Sequence, residues 1–186
     1  MAEMPRCEWC EKDELYRDYH DREWGVPSHS DSHLFEHLIL ETFQAGLSWH
    51  TILKKRENFR SAFENFDAQK IAQYGDEEIG RLMDDAGIIR NKLKILAAIN
   101  NAQHFLLIQK EFATFDAYIW QYAPKKWLNS IASWSDVRAT TSESDAMSKG
   151  LKKRGFKFVG STTCYAFMQA VGMVNDHFNT CWKKHA

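Results

Sequence analysis

The sequence predicts an all-α protein. Apolar residues recur at helical spacing in one segment after another, and Ser, Thr and Asp stand where helices would start. No stretch alternates apolar and polar positions with β-branched residues, so no strand is expected.

Residues 1–30 hold Pro5, Pro27 and scattered aromatics with little periodicity, and read as an irregular arm with one short helix. From Asp31 the pattern turns helical. Asp31 or Ser32 is placed to cap a helix whose stripe carries Leu34, Phe35, Leu38, Ile39, Thr42 and Ala45, and Gly46 closes it. Ser48 caps a second helix with Trp49, Ile52, Leu53 and Phe59 inward. Asp67 opens a short helix through Tyr74, and Asp76 another through Asp85. After a break at Ala86-Gly87-Ile88 comes a long helix with Leu93, Leu96, Ile99, Ala102 and Leu106 on its stripe. Thr114 starts a helix to about residue 122, and residues 123–143 read as an ordered loop with helical pieces. Ser144 is placed to cap a helix to Arg154. A hairpin of residues 155–160 follows, and a last helix runs from about Ser161 to Val171.

Composition sets the broad class. A chain of 186 residues with 44% hydrophobic and 26% charged residues suits one unit, residues 1–186, with its own core. The net charge of −1 excludes a globally basic nucleic-acid binder, so any such partner must meet a local patch. No apolar run follows a basic start and no 18-residue apolar stretch exists, which points to a cytoplasmic protein. In that compartment Cys7, Cys10, Cys164 and Cys181 favour thiols or metal ligation over disulfides.

Residues 144–171 form a helix, turn, helix segment whose turn reads Gly155-Phe156-Lys157-Phe158-Val159-Gly160. The two glycines permit positive φ and close backbone approach. Ser161, Thr162 and Thr163 open the next helix, where free N–H groups and a positive dipole end make an anion site. Lys149, Lys152, Lys153, Arg154 and Lys157 surround it with no acid among them. Charge plus exposed amides is what sequence-independent phosphate binding needs, so Lys153, Arg154, Lys157, Gly160, Ser161 and Thr162 are candidate DNA-backbone contacts.

A second constellation lies at the chain ends. His177 and Cys181 stand one helical turn apart, and Cys7, Cys10 and His20 lie in the arm. Two Cys and two His would close a tetrahedral zinc shell with no water position, a structural site. Spacing alone favours Cys7 with Cys10, and Cys7 with His20 is the competitor. A third feature is Glu41, placed beside Leu34 at the edge of an apolar stripe, where a carboxylate is costly unless paired or used. Trp49 lies just past the Gly46 break, and Tyr16, Tyr19, Trp24 and Trp9 could add stacking faces.

These residues resemble the DNA-3-methyladenine glycosylase I family. The resemblance rests on Arg6-Cys7-Glu8-Trp9, the run from Leu15 to Pro27, Gln44 to Trp49, Leu53 to Phe59 and Asp85 to Arg90. Leu151 to Gly160 and Val174-Asn175-Asp176-His177 carry it further, so that it covers nearly the whole chain. It implies a helix-hairpin-helix glycosylase fold. Its N-terminal arm would be tied to the C-terminal region by one structural zinc on Cys7, His20, His177 and Cys181, with residues 1–30 and 172–186 as the clasp. It also implies a base pocket with Glu41 as the acting carboxylate and Tyr16, Tyr19, Trp49, Trp9 and Trp24 around the base.

The implied reaction is hydrolytic removal of 3-methyladenine from alkylated double-stranded DNA. The implied partners are that DNA and the free base, and the implied state is a monomer. Most of the wider helix-hairpin-helix superfamily resemble one another in a Val-Asp-x-His element whose Asp assists catalysis, whereas Asn175 stands at that place here. Thr42 and Phe43 fill places where Gly and Gln would be expected, and Phe43 in the pocket would change its shape. No lysine suggests itself as a lyase nucleophile, so a monofunctional enzyme is expected. Two other classes compete: a non-catalytic DNA-binding module, and a zinc hydrolase or deaminase. The latter lacks the H-x-E arrangement at His20 and His177.

Overall fold

A computed structural model describes residues 4–185; the outermost positions of the expected clasp regions, residues 1–3 and 186, lie outside it. Among the described residues the fold is all-helical, with a single parallel β-bridge between Leu128 and Asn175 and no strand. The helices are α1 (Glu14–Arg22), α2 (Asp31–Gln44), α3 (Trp49–Ala62), α4 (Ala68–Ile71), α5 (Asp76–Asp84), α6 (Lys92–Phe112), α7 (Phe115–Ile119), α8 (Ser142–Lys153) and α9 (Ser161–Ala170). Short 3₁₀ turns stand between them. None of these helices is long and apolar enough to cross a membrane.

The core forms around α2. Every residue from Leu34 to Phe43 is buried, so α2 is not the one-sided helix that its stripe suggested. A helix apolar on all sides belongs at the centre of a bundle, and α2 packs there against α3, α6, α7 and α9. Phe43 points into this core, with its ring 4.9 Å from Phe59 and 5.8 Å from Phe63. Thr42 returns its hydroxyl to the Ile39 carbonyl at 2.7 Å. The expectation that Phe43 could shape a pocket is thereby corrected.

Several helix starts differ from those expected, for reasons visible in their bonding. Asp31 does not cap its own helix, since Ser30 holds the cap position. The Asp31 carboxylate instead accepts from the N–H groups of Phe115 and Asp116, both at 2.8 Å, and so caps α7 from across the fold. Thr141, not Ser144, caps α8, and Ser144 completes the reciprocal capping box three residues in. The helix after Asp67 ends at Ile71, short of Tyr74.

The stripe of α6 is also rotated. Ile99 and Ala102 of the expected stripe are buried, but Leu93 and Leu96 are 68% and 39% exposed, and Ile95, Ala98, Phe105 and Ile108 are buried in their place. Lys94 explains the turn of the helix. Its ammonium is drawn inward to the carbonyls of Phe43 at 2.8 Å and Ala45 at 2.6 Å, satisfying the end of α2.

The arm is seated on the far end of α9. Gly172, at φ +73°, lies so close to Val26 and Pro27 that a Cβ there would come within 2.3 Å of their backbone. The N–H groups of Gly25 and Ser28 donate to the carbonyls of Gln169 and Val171, both at 3.0 Å. The loop after α7 is pinned to the same region, with the Trp127 indole donating to the Gly172 carbonyl at 2.8 Å.

Candidate active site and metal cluster

Five of the aromatics singled out above meet at one cavity. Trp9, Tyr16, Tyr19, Trp24, Glu41, Gln44, Trp49, Ala166 and Gln169 line a space of about 160 Å³. Trp9 packs against Tyr16 and Trp24 with ring centres 4.8 and 5.0 Å apart, and Tyr19 lies 5.5 Å from Trp49. His50 stacks on the outer face of Tyr16 at 4.8 Å, and Asp13 holds it at 2.7 Å. Gln44, Ala166 and Gln169 were not anticipated. The last two come from α9, far along the chain, where periodicity cannot register a shared hollow.

Glu41 is 4% exposed, and its Oε2 has no hydrogen-bond partner. Burial alone raises its carboxyl from 4.5 to about 8. The Trp49 indole N–H is likewise buried and unpartnered. Buried polar atoms are normally satisfied, so an acceptor and a donor left open beside one cavity mark places for a polar ligand. Gln169 is oriented: its Nε2 donates to Asp176 at 2.8 Å, which leaves its carbonyl oxygen as the free end.

Behind this wall runs an ion-pair network that no local pattern in the sequence marks. Arg56 makes two 2.6 Å bonds to Glu23 and a 2.7 Å bond to Glu36. His33 and His37 approach the same Glu23 carboxylate at 2.8 and 2.6 Å. Burial opposes this charge, but the histidine and arginine hydrogen bonds win and hold Glu23 far below the usual carboxylate range. The network ties the end of α1 to α2 and α3, and so fixes Trp24, the next residue after Glu23.

The second cluster joins the chain ends. One ligand atom each from Cys7, His20 and Cys181 lies within 4.8 Å of the others, and all three residues are buried. Cys10 is not among them; its thiol donates to the Cys7 carbonyl at 3.0 Å. His177 lies alongside, its ring 4.9 Å from that of His20. His177 Nδ1 is 2.9 Å from Asn175 Oδ1, which also accepts from the His177 backbone N–H at 3.2 Å. Because that oxygen only accepts, Nδ1 carries the proton and Nε2 presents a lone pair. That Nε2 is buried with no partner.

His20 is held in the same way, with Nδ1 2.7 Å from Asp21 and Nε2 3.4 Å from Cys181 Sγ. Burial lowers His177 to about 3, keeping it neutral. The shared hydrogen bond raises Cys7 and lowers Cys181 toward thiolate. Two sulfurs and the His20 imidazole, which Asp21 orients, are the kind of donors a soft metal takes in a tetrahedral shell, and His177 stands beside these three with its oriented Nε2 open. The cluster backs directly onto the cavity wall: Trp24 lies 4.6 Å from His177, and Trp9 lies 5.3 Å from His20.

The helix, turn, helix segment stands apart from both. Gly155 has φ +91°, but Gly160 is ordinary at −65°, and Phe158 carries the second positive φ at +55°. The expectation for Gly160 is corrected in its reason: it has open space in place of strain. Lys153 and Lys157 are exposed. Arg154 is turned aside, bonded twice to Glu111 at 2.7 and 3.0 Å and lying over the rings of Phe112 and Tyr118.

Comparison with known proteins agrees with this architecture. The family profile described as Methyladenine glycosylase matches residues 9–184. The chain is 49% identical to DNA-3-methyladenine glycosylase 1 of Escherichia coli (strain K12), over 96% of each chain. A crystal structure of a 3-methyladenine DNA glycosylase I superposes with a TM-score of 0.92 at 47% identity, covering 96% of this chain and 98% of that one. A Tyr-to-Phe variant of a 3-methyladenine DNA glycosylase I, in complex with 3-methyladenine, matches with a TM-score of 0.91 at 36% identity, covering 97% and 98%. With the whole helical core covered by the match, the chain belongs to the methyladenine glycosylase family.

Proposed function

We propose that the chain is a monofunctional DNA glycosylase that hydrolyses the bond between 3-methyladenine and deoxyribose in alkylated duplex DNA. The observation that carries this reading is the unpaired Glu41 carboxyl at the aromatic cavity, in a chain of this family. Relatives named for 3-methyladenine, one of them solved with that base, support the substrate.

The proposed mechanism follows from charge. Methylation at N3 leaves the adenine ring cationic. A planar ring system suits the cavity, since about 150 Å³ accommodates a benzene ring. Extruding the nucleotide costs a few kcal/mol of unstacking. Trp49, Tyr16 and Tyr19 then face the cation with their rings, and Trp9 and Trp24 brace that wall. The cation makes ionisation of Glu41 favourable, and the carboxylate accepts from the amine edge of the base. As the N-glycosidic bond breaks, its electron pair neutralises the ring, so the leaving base requires no proton. Water attacks the sugar carbon that results. A general acid is therefore dispensable, which agrees with an Asn at position 175 whose side chain serves His177 instead.

Cys7, His20, His177 and Cys181 would hold one zinc, which supplies folding energy and no chemistry to the reaction. The clasp would keep the arm, and with it Trp9 and Trp24, against the pocket. Residues 144–171 would act as a helix-hairpin-helix grip on the DNA backbone. Lys153, Lys157, Gly160, Ser161 and Thr162 would meet phosphates, and Arg154 would brace the turn through Glu111. The enzyme would act as a cytoplasmic monomer. Glu41→Gln tests the pocket: it should weaken binding of free 3-methyladenine by about ten- to a hundredfold. Unchanged binding would remove Glu41 from the pocket's function.

A further inference from the structure

Asn101 is a buried polar residue that the reaction does not use. It lies on α6 with no exposure. Its side-chain amide reads both backbone groups of Lys157: Oδ1 accepts from the Lys157 N–H at 2.8 Å, and Nδ2 donates to the Lys157 carbonyl at 3.0 Å. This is the pairing a neighbouring strand would offer, supplied by one side chain. Its neighbour Asn100 donates to the Gly155 carbonyl at 2.8 Å, and Ser148 donates to the Val159 carbonyl at 2.7 Å.

The alternate carbonyls of the turn, at residues 155, 157 and 159, are thus all drawn into the protein. Across a trans peptide the N–H points opposite its carbonyl, so drawing the 157 and 159 carbonyls inward turns the N–H groups of Phe158 and Gly160 the other way. No N–H from residues 158–163 finds an acceptor among the described residues. Phe158 is held at φ +55°, a conformation that costs a non-glycine residue energy unless its surroundings fix it. The clamp on the preceding residue supplies that fixing.

We propose that Asn101 is a positioning residue for DNA binding, holding the turn so that its free peptide N–H groups face a phosphate. The proposal rests on the reading of residues 144–171 as the backbone grip. Asn101 itself touches no DNA, so its removal should weaken duplex binding without removing a charge from the interface.

The experiment compares Asn101→Ala and Asn101→Ser with a Lys153→Ala, Lys157→Ala double variant. Affinity for an undamaged duplex is measured by fluorescence anisotropy over a range of salt, and affinity for free 3-methyladenine by tryptophan quenching. Asn101→Ala should weaken duplex binding about tenfold. Its salt slope and its base affinity should stay at the wild-type values. Asn101→Ser stays neutral and keeps one short polar group in place of the two-point clamp, so a weakening in the same direction and no larger is expected; it carries the comparison if the Ala variant does not fold. The lysine variant should instead flatten the salt slope, by about one unit for each phosphate that it no longer neutralises.

Unchanged duplex affinity in the folded Asn101 variants overturns the clamp. So does an equal drop in duplex and base affinity, which would mark general structural damage. If the lysine variant leaves both affinity and slope unchanged, the grip reading itself fails. A flattened slope there, with no effect at Asn101, removes the clamp alone.

Discussion

Asn175 accepts the ring N–H of His177 at 2.9 Å and its backbone N–H at 3.2 Å with the same side-chain oxygen. Asn175 therefore orients the imidazole beside the Cys/His cluster, and it does not line the cavity. An Asn does this without burying a charge; an Asp there would bring one into a site of 1% exposure.

It follows that Asn175→Ala should destabilise the fold by about 1–3 kcal/mol, the cost of stranding buried donors. Asn175→Asp should give no gain in base release. Denaturant melts and single-turnover base release check both. A faster Asn175→Asp enzyme would restore the catalytic reading of this position.

Metal removal should loosen the arm. Purified protein is expected to hold about one zinc per chain, and stripping it should lower the melting temperature by about 10 °C or more. His177→Ala should lower the metal content as well, since its buried Nε2, beside the cluster, has no protein partner. Elemental analysis with calorimetry reads both, and protein that melts identically with and without chelator would contradict the clasp.

The pH dependence of stability has a definite sign. Glu41 keeps its proton in the folded protein up to about pH 8, while the unfolded chain releases it near its ordinary 4.5. Between those values the unfolded state binds fewer protons, so raising pH favours unfolding, by on the order of a few kcal/mol from this group. Glu41→Gln has no such titration. Its melting temperature relative to wild type should therefore rise steadily through that window and level off below it. A difference that stays constant with pH would show that burial does not perturb Glu41.

Two glycines with positive φ give a paired test of the arm's seat. Gly172→Ala would drive a Cβ into the backbone of Val26 and Pro27, where nothing flexible can yield. It should cost about 2–4 kcal/mol and weaken base binding through displaced Trp24. Gly46→Ala, with open space around it, should cost only about 1 kcal/mol and leave the fold of the arm intact. Thermal melts and free-base titrations separate the two.

Much of this arrangement could be read from the chain itself. Glu41, Trp49 and the aromatics of the arm stood out because a carboxylate among apolar residues and rings in an irregular segment need a reason. The residues alone leave open that these rings share one hollow with Glu41, and the family likeness turns that possibility into a base pocket. Spacing favoured Cys10 for the metal cluster, but the fold brings in His20, because α1 carries it beside Cys181 and turns Cys10 back onto its own chain. The exposure of Leu93 and Leu96 was hidden by Lys94, whose burial no hydropathy pattern foretells. Arg154 read as one more phosphate contact because Glu111, its partner, lies forty-three positions earlier. Local signals fixed most helices to within a few residues; long-range polar bonds such as Asp31 to α7 and Glu23 to Arg56 left no local trace.

The identity of the released base tests the function of the pocket most directly. Duplex DNA treated with a methylating agent should be incubated with the protein, and the soluble bases identified by chromatography. Free 3-methyladenine is expected, abolished or strongly reduced in Glu41→Gln, with no covalent adduct on borohydride treatment. Intact DNA with no released base, despite duplex binding, would contradict that function and leave a DNA-binding module without catalysis.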